Sequence, residues 1–199
     1  MPSAMIHLLV AQEIPGGDAP QFRLGSLAPD YLSRREEKDA VHLRREPDRY
    51  QALLRLADRL DRKDPFESGW LVHLLADLRW DTKVIPAFRD SLPPETDWFP
   101  RYRKECHRAG YALYHSRPWS RKAMEDMLEV DLNALHTSLT IDLPALEEFR
   151  RMLVRKHEES PADSQSAAFP PELLERFARE TAAEASALLH VEQGGDWHL

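Results

Sequence analysis

Cysteine, glycine and long apolar runs are all scarce in this chain, and each scarcity excludes something. Cys106 is the single cysteine among 199 residues. An internal disulfide framework and a thiolate zinc site are therefore out, and a reducing compartment fits. No stretch approaches the ~18 uninterrupted apolar residues that cross a bilayer. The N-terminal run Met5–Ala11 is interrupted by His7 and has no basic leader, so the expectation is a cytoplasmic protein without a signal peptide or membrane insertion. Glycine numbers 7 against 15 prolines, which favours helices separated by proline-marked turns. Gly16-Gly17 lacks a following Lys-Ser or Lys-Thr and reads as a turn, not a phosphate loop. A serine nucleophile elbow is missing too. So is net positive charge: at −7 the chain offers no global electrostatic case for nucleic acid. The local basic group Arg101, Arg103 and Lys104 reads as the solvated face of a helix.

What is present is globular. Hydrophobic residues make up 42% and charged residues 31%, well mixed. The length suits one domain, taken as residues 1–192 with a flexible tail over 193–199, and leaves the oligomeric state open. No strand alternation or repeat stands out, so the expected class is all-α. Ser3 caps a first helix that Pro15-Gly16-Gly17 ends. Phe22–Asp30 reads as a loop with one helical turn, and a short helix includes His42. Amphipathic spacing predicts a helix over Asp48–Leu60. Asp64-Pro65 opens the most apolar helix, which Pro86 kinks or ends. Further helices are expected over Trp98–Ser116, Ser120–Leu135, Leu143–Glu159 and Pro170–His190, with Ser160–Ala168 as a polar loop.

The strongest chemical signal is His73-Leu-Leu-Ala-Asp77. A spacing of four sets both side chains on one helix face, one turn apart, where they can reach a single metal ion. Leu71, Val72, Leu74, Leu75 and Leu78 mark that helix as buried, and buried ionisable groups are costly unless paired or metal-bound. Taken alone, the pair reads first as a buried His–Asp hydrogen bond with no metal. Three further residues shift the balance. His7 lies among Met5, Ile6, Leu8 and Leu9; Asp30 ends Leu24-Gly25-Ser26-Leu27-Ala28-Pro29; His42 sits between Val41 and Leu43. Together they supply three imidazoles and two carboxylates, a set suited to zinc, manganese or iron.

The order His7, Leu24-Gly25-Ser26-Leu27-Ala28-Pro29-Asp30, His42 and Gly69-Trp70-Leu71-Val72-His73-Leu74-Leu75-Ala76-Asp77 resembles the zinc-dependent phospholipase C superfamily. Within it, the pattern is similar to a short cytoplasmic branch. The resemblance covers about the first half of the chain. It implies a single-domain multi-helix bundle of the zinc-dependent phospholipase C and P1 nuclease type. It also implies a divalent metal, Zn²⁺ first, as one or two ions. His42, His73, Asp77 and Asp30 would hold one metal, and Asp77 could bridge to a second shared with His7. In the secreted phospholipases an N-terminal Trp supplies its amine and carbonyl to that second metal; this sequence begins Met1-Pro2. The later His-x-x-x-Glu pair of the third metal has no counterpart after Asp77. Asp81 extends the His73–Asp77 face and reads as an exposed end-of-helix charge or a substitute ligand.

The implied activity is hydrolysis of a small phosphorylated substrate, in which a bound dication polarises a phosphoryl oxygen and activates water. Asp30 is the candidate general base, unless it is a ligand. Arg34, Arg35, Arg79 and Lys83 are candidates for phosphate contact. His107 and His115 could face the mouth of the site or simply the surface, and His136, His157, His190 and His198 are given no role. Two readings compete. One is a non-catalytic binding or scaffold protein with a structural or vestigial metal. The other is an HD-like nucleotide phosphohydrolase, against which the missing His-Asp dipeptide counts.

Overall fold

Aspartates open several of the helices by capping. The carboxylates of Asp48, Asp64 and Asp142 accept from the amides of Gln51, Glu67 and Ala145 at 3.0, 2.9 and 3.0 Å. Each such cap is worth about 1 kcal/mol. The computed structural model describes residues 1–190; the tail expected over 193–199, with His198, lies outside them. In chain order the α-helices are α1 (Ala4–Gln12), α2 (Pro20–Gly25), α3 (Arg35–Val41), α4 (Arg49–Ala57), α5 (Pro65–Arg79), α6 (Ile85–Asp90), α7 (Trp98–Ser116), α8 (Ser120–Leu128), α9 (Leu143–Glu158) and α10 (Pro171–His190). Short 3₁₀ turns cover Ala28–Tyr31 and Leu132–Ala134. Among the described residues there is no strand, so the chain is all-α. No described helix is long and apolar enough to cross a membrane.

Two helices lie inside the fold. Every residue of α5 from Phe66 to Asp77 is buried, as is every residue of α1 from Met5 to Ala11. A helix apolar on all sides has no solvent face, so its neighbours must surround it. α5 packs against α1, α2, α4 and α10, and α1 also meets α7. The second half of the chain closes around this pair, with α8 against α2 and α9 against the Ala28–Tyr31 turn.

α2 and α5 cross backbone against backbone, and glycine makes it so. A Cβ on Gly69 would stand 2.1 Å from the Phe22 carbonyl oxygen, and one on Gly25 would stand 2.0 Å from that of Phe66. The two backbones therefore touch directly.

Several boundaries differ from the expectation. Phe22–Asp30 is no loop: Pro20 at the start of α2 and Pro29 inside the 3₁₀ turn fix φ and nucleate two short helical pieces. His42 is the C-terminal cap of α3 rather than a residue within it. Ser3 stands at the cap position of α1, but its hydroxyl makes no cap hydrogen bond. Leu128 ends α8 before the short Leu132–Ala134 turn. Pro86 does not end the central helix. The chain passes through a wider π turn over Trp80–Val84 into α6, and the added width relieves the clash between the proline ring and the preceding turn.

Candidate metal centre

His7, Asp30, His42, His73 and Asp77 come together from four separate elements. α1 supplies His7, the Ala28–Tyr31 turn supplies Asp30, the end of α3 supplies His42, and α5 supplies His73 and Asp77. The ligand atoms of His7, Asp30 and His73 lie within 4.8 Å of one another, as do those of His42, His73 and Asp77. These buried groups are positioned to hold a metal ion. His7, His42, His73 and Asp77 are all but sealed from solvent, whereas the Asp30 side chain is 18% exposed.

The orientation of the imidazoles is set by the backbone. His73 Nδ1 lies 2.8 Å from the Ser26 carbonyl oxygen, and His42 Nδ1 lies 2.8 Å from that of Lys38. A carbonyl can only accept, so both Nδ1 atoms carry a proton, and a ring with no second proton leaves its lone pair on Nε2. Those two Nε2 atoms face each other at 3.1 Å. Two lone pairs at that distance repel unless a cation or proton lies between them. Burial and the neighbouring His7 push the His73 imidazole down to about 3, which leaves it neutral near pH 7. The His7 ring stacks on His73 at 4.0 Å between centroids.

The remaining polar atoms fit a metal as well. Neither ring nitrogen of His7 makes a hydrogen bond, and the same holds for Asp77 Oδ1, although all three are buried. Buried polar atoms without partners are rare in folded proteins and costly. His7 Nε2 stands 3.5 Å from Asp77 Oδ1, and His42 Nε2 stands 3.5 Å from both Asp77 Oδ2 and Asp30 Oδ1. Burial raises the Asp77 carboxyl, but His7 and His73 beside it outweigh that and hold it well below the usual carboxylate range. The Asp30 carboxyl is likewise raised by burial yet held low overall, by His42, His73 and Lys38.

Two cations complete the centre, and neither stood out in the sequence. Lys38 Nζ is 3.2 Å from Asp30 Oδ1, and an Arg44 guanidinium nitrogen donates to Asp77 Oδ2 at 3.1 Å. Lys38 precedes His42 by one helical turn, a spacing that was available as a signal. Arg44 follows Leu43, whose φ of 55° turns the chain sharply after α3. Leucine rarely adopts that conformation, so nothing in the sequence announced it. Asp81 is not the exposed charge expected. It is half-buried and accepts from Arg49 at 2.9 Å, with Arg44 at 3.8 Å, and it belongs to neither ligand group.

The cations chosen from sequence point elsewhere. Arg79 pairs with Glu180 and Glu184 of α10, and Lys83 lines a separate groove with it. Arg79 is two residues past Asp77, about 200° around the helix, and so faces away. The side chains of Arg34 and Arg35 are 74% and 91% exposed and pair with Glu37 and Asp39.

A cleft of about 560 Å³ leads to the centre. Asp30, Lys38, Arg44 and Asp81 form its inner end. Leu27, Ile85, Phe99, Phe149, Met152 and Leu153 supply apolar wall. His107 borders it, but His115 does not; His115 meets Ser160 at 3.0 Å. His157, given no role from sequence, is buried against Tyr111 and Tyr114 and also lines the cleft. Compared with protein-family models, curated proteins and solved structures, the chain matches none.

Proposed function

We propose that the chain is a metal-dependent phosphoesterase that holds one divalent ion, Zn²⁺ first. One observation carries this reading. A buried His–Asp cluster with opposed imidazole lone pairs opens, through Asp30, into a cleft whose inner end also presents Lys38 and Arg44. Both ligand groups use His73, whose Nδ1 is committed to Ser26. One ring nitrogen binds one ion, which supports a single ion over two. The phospholipase C-like residue order supports the same donor set. Three imidazoles with carboxylates suit zinc better than magnesium or calcium.

A zinc ion in such a site supplies Lewis acidity toward a phosphoryl oxygen and toward water. The chain does the rest. Lys38 and Arg44 bind the non-bridging phosphate oxygens, for which a guanidinium is well shaped. His42 and His73 are kept in one tautomer by the Lys38 and Ser26 carbonyls. Asp30 serves as a donor, with Oδ1 3.5 Å from His42 Nε2 inside the cluster. The apolar walls bind the body of the ester and exclude water.

The burial of four of the five donors favours a second reading, a metal held for structure in a binding protein. Elemental analysis of the purified protein beside a His73→Ala/Asp77→Ala variant, followed by a screen of phosphomonoesters and phosphodiesters, separates the possibilities. Stoichiometric zinc and turnover, both lost in the variant, support the phosphoesterase. Zinc without turnover of any ester supports the structural metal. No zinc after reconstitution rejects both.

A further inference from the structure

Arg103 of α7 and Lys156 of α9 border the same cleft as the metal centre, and His107, one turn after Arg103, borders it with them. The two helices meet where the Tyr111 ring stands edge-on to His157 at 5.8 Å. Arg103 and His107, with Tyr111, also line a shallower groove that includes none of the five candidate metal donors, so these residues mark the outer end of the cleft, where Lys156 borders it from α9. Among the described residues, none of the ion pairs includes Arg103 or Lys156. Nearby acids are committed elsewhere: Glu105 accepts from Arg108 and the 166–168 segment, and Glu147 pairs with Arg150 and Arg151. Among the described residues, the only acidic ones lining the cleft are Asp30 and Asp81, both at its inner end.

Arg101, Arg103 and Lys104 are exposed, as a solvated helix face requires, but Arg103 also turns toward a second cation across the cleft. An ordinary surface lysine or arginine stands apart from like charge. Here burial and Arg103 push the Lys156 ammonium down, and burial, Lys156 and Arg103 push His107 down. Two cations and an imidazole thus share one concavity, and among the described residues neither cation has an ion-pair partner. Beside them lie two large apolar side chains left in solvent, Phe99 at 50% and Met152 at 41% exposure. Exposed apolar surface in a cleft, flanked by uncompensated cations, is the signature of a site for an amphipathic anion.

We propose that Arg103, His107 and Lys156 form a second anion subsite, so that the substrate carries a second anionic group separated from its phosphate ester by an apolar or aromatic body. The inference rests on the phosphoesterase reading for the inner end alone. The inner end takes one anion at Lys38 and Arg44, the Phe99, Phe149 and Met152 walls take the body, and the outer trio takes the other anion.

The test is calorimetric titration of the purified protein, supplied with zinc, with alkyl monophosphonates and with α,ω-alkane bisphosphonates of matched chain length. The subsite requires one chain length at which the bisphosphonate binds about tenfold or more tighter than its monophosphonate partner. An Arg103→Gln/Lys156→Gln variant, both positions being exposed, should lose that advantage while keeping its monophosphonate affinity and zinc content. Monophosphonate binding with no advantage at any length, or an advantage that survives in the variant, overturns the subsite and leaves the inner site standing. Failure of both ligand types to bind overturns the subsite and the phosphoesterase reading together.

Discussion

His42 and His73 point their Nε2 atoms at each other across 3.1 Å while backbone carbonyls hold both Nδ1 protons. The rings are arranged for something between or beside them. Removing the metal should therefore destabilise the protein. Chelation is expected to lower the melting temperature, zinc to restore it, and His73→Ala to abolish the response, as ligand linkage requires. A melting temperature indifferent to both chelator and zinc would count against the centre.

Arg44 and Lys38 are the groups expected to read phosphate. Arg44→Gln and Lys38→Gln should each lower kcat/KM by a factor of about 10–100 once a substrate is found, with zinc content retained. Arg79→Gln, which breaks a pair with α10, should leave kcat/KM nearly unchanged. Equal losses in all three variants would contradict the assignment.

Gly69→Ala should be costly although it adds one methyl group. The new Cβ meets backbone at 2.1 Å, not the end of a flexible chain, so α2 must move off α5. The expected loss is about 1–3 kcal/mol in denaturant unfolding. Zinc affinity should fall as well, since α2 leads into the Ser26 carbonyl that orients His73.

Stability should depend on pH through His157. Burial, opposed in part by its hydrogen bond to the Leu153 carbonyl, brings its pKa from 6.5 to about 4. Between those values the unfolded chain binds a proton that the folded chain does not. Stability is therefore full above about pH 6.5 and declines as pH falls toward about 4. Thermal melts of the wild type and His157→Phe across that range check this, and the variant should show the shallower decline.

The clustered His and Asp residues were legible because each left a local mark. His73 and Asp77 share a helix face by spacing, and His7, His42 and Asp30 interrupt apolar sequence. Their partners left none. Arg79 and Lys83 look adjacent to the donors in the chain, but helical rotation carries them to the α10 side. Arg44 reaches Asp77 because Leu43 takes a left-handed turn that no local pattern encodes. The outer trio depends on how α7 and α9 pack, and packing between distant helices is not written in either one's periodicity.

The positions of Lys38 and Arg44 have a consequence for the order of events. Their two positive charges face the two negative charges of Asp30 and Asp77, and Arg35 and Arg49 likewise face Asp39 and Asp81 beside them, so these ion pairs balance without a metal. A balanced centre has little pull on a phosphate. Adding a dication leaves an excess of two positive charges, which matches the doubly ionised form of a phosphate monoester. Anion affinity would then be created by metal loading rather than built into the polypeptide, and the centre would attract phosphate only when equipped to act on it.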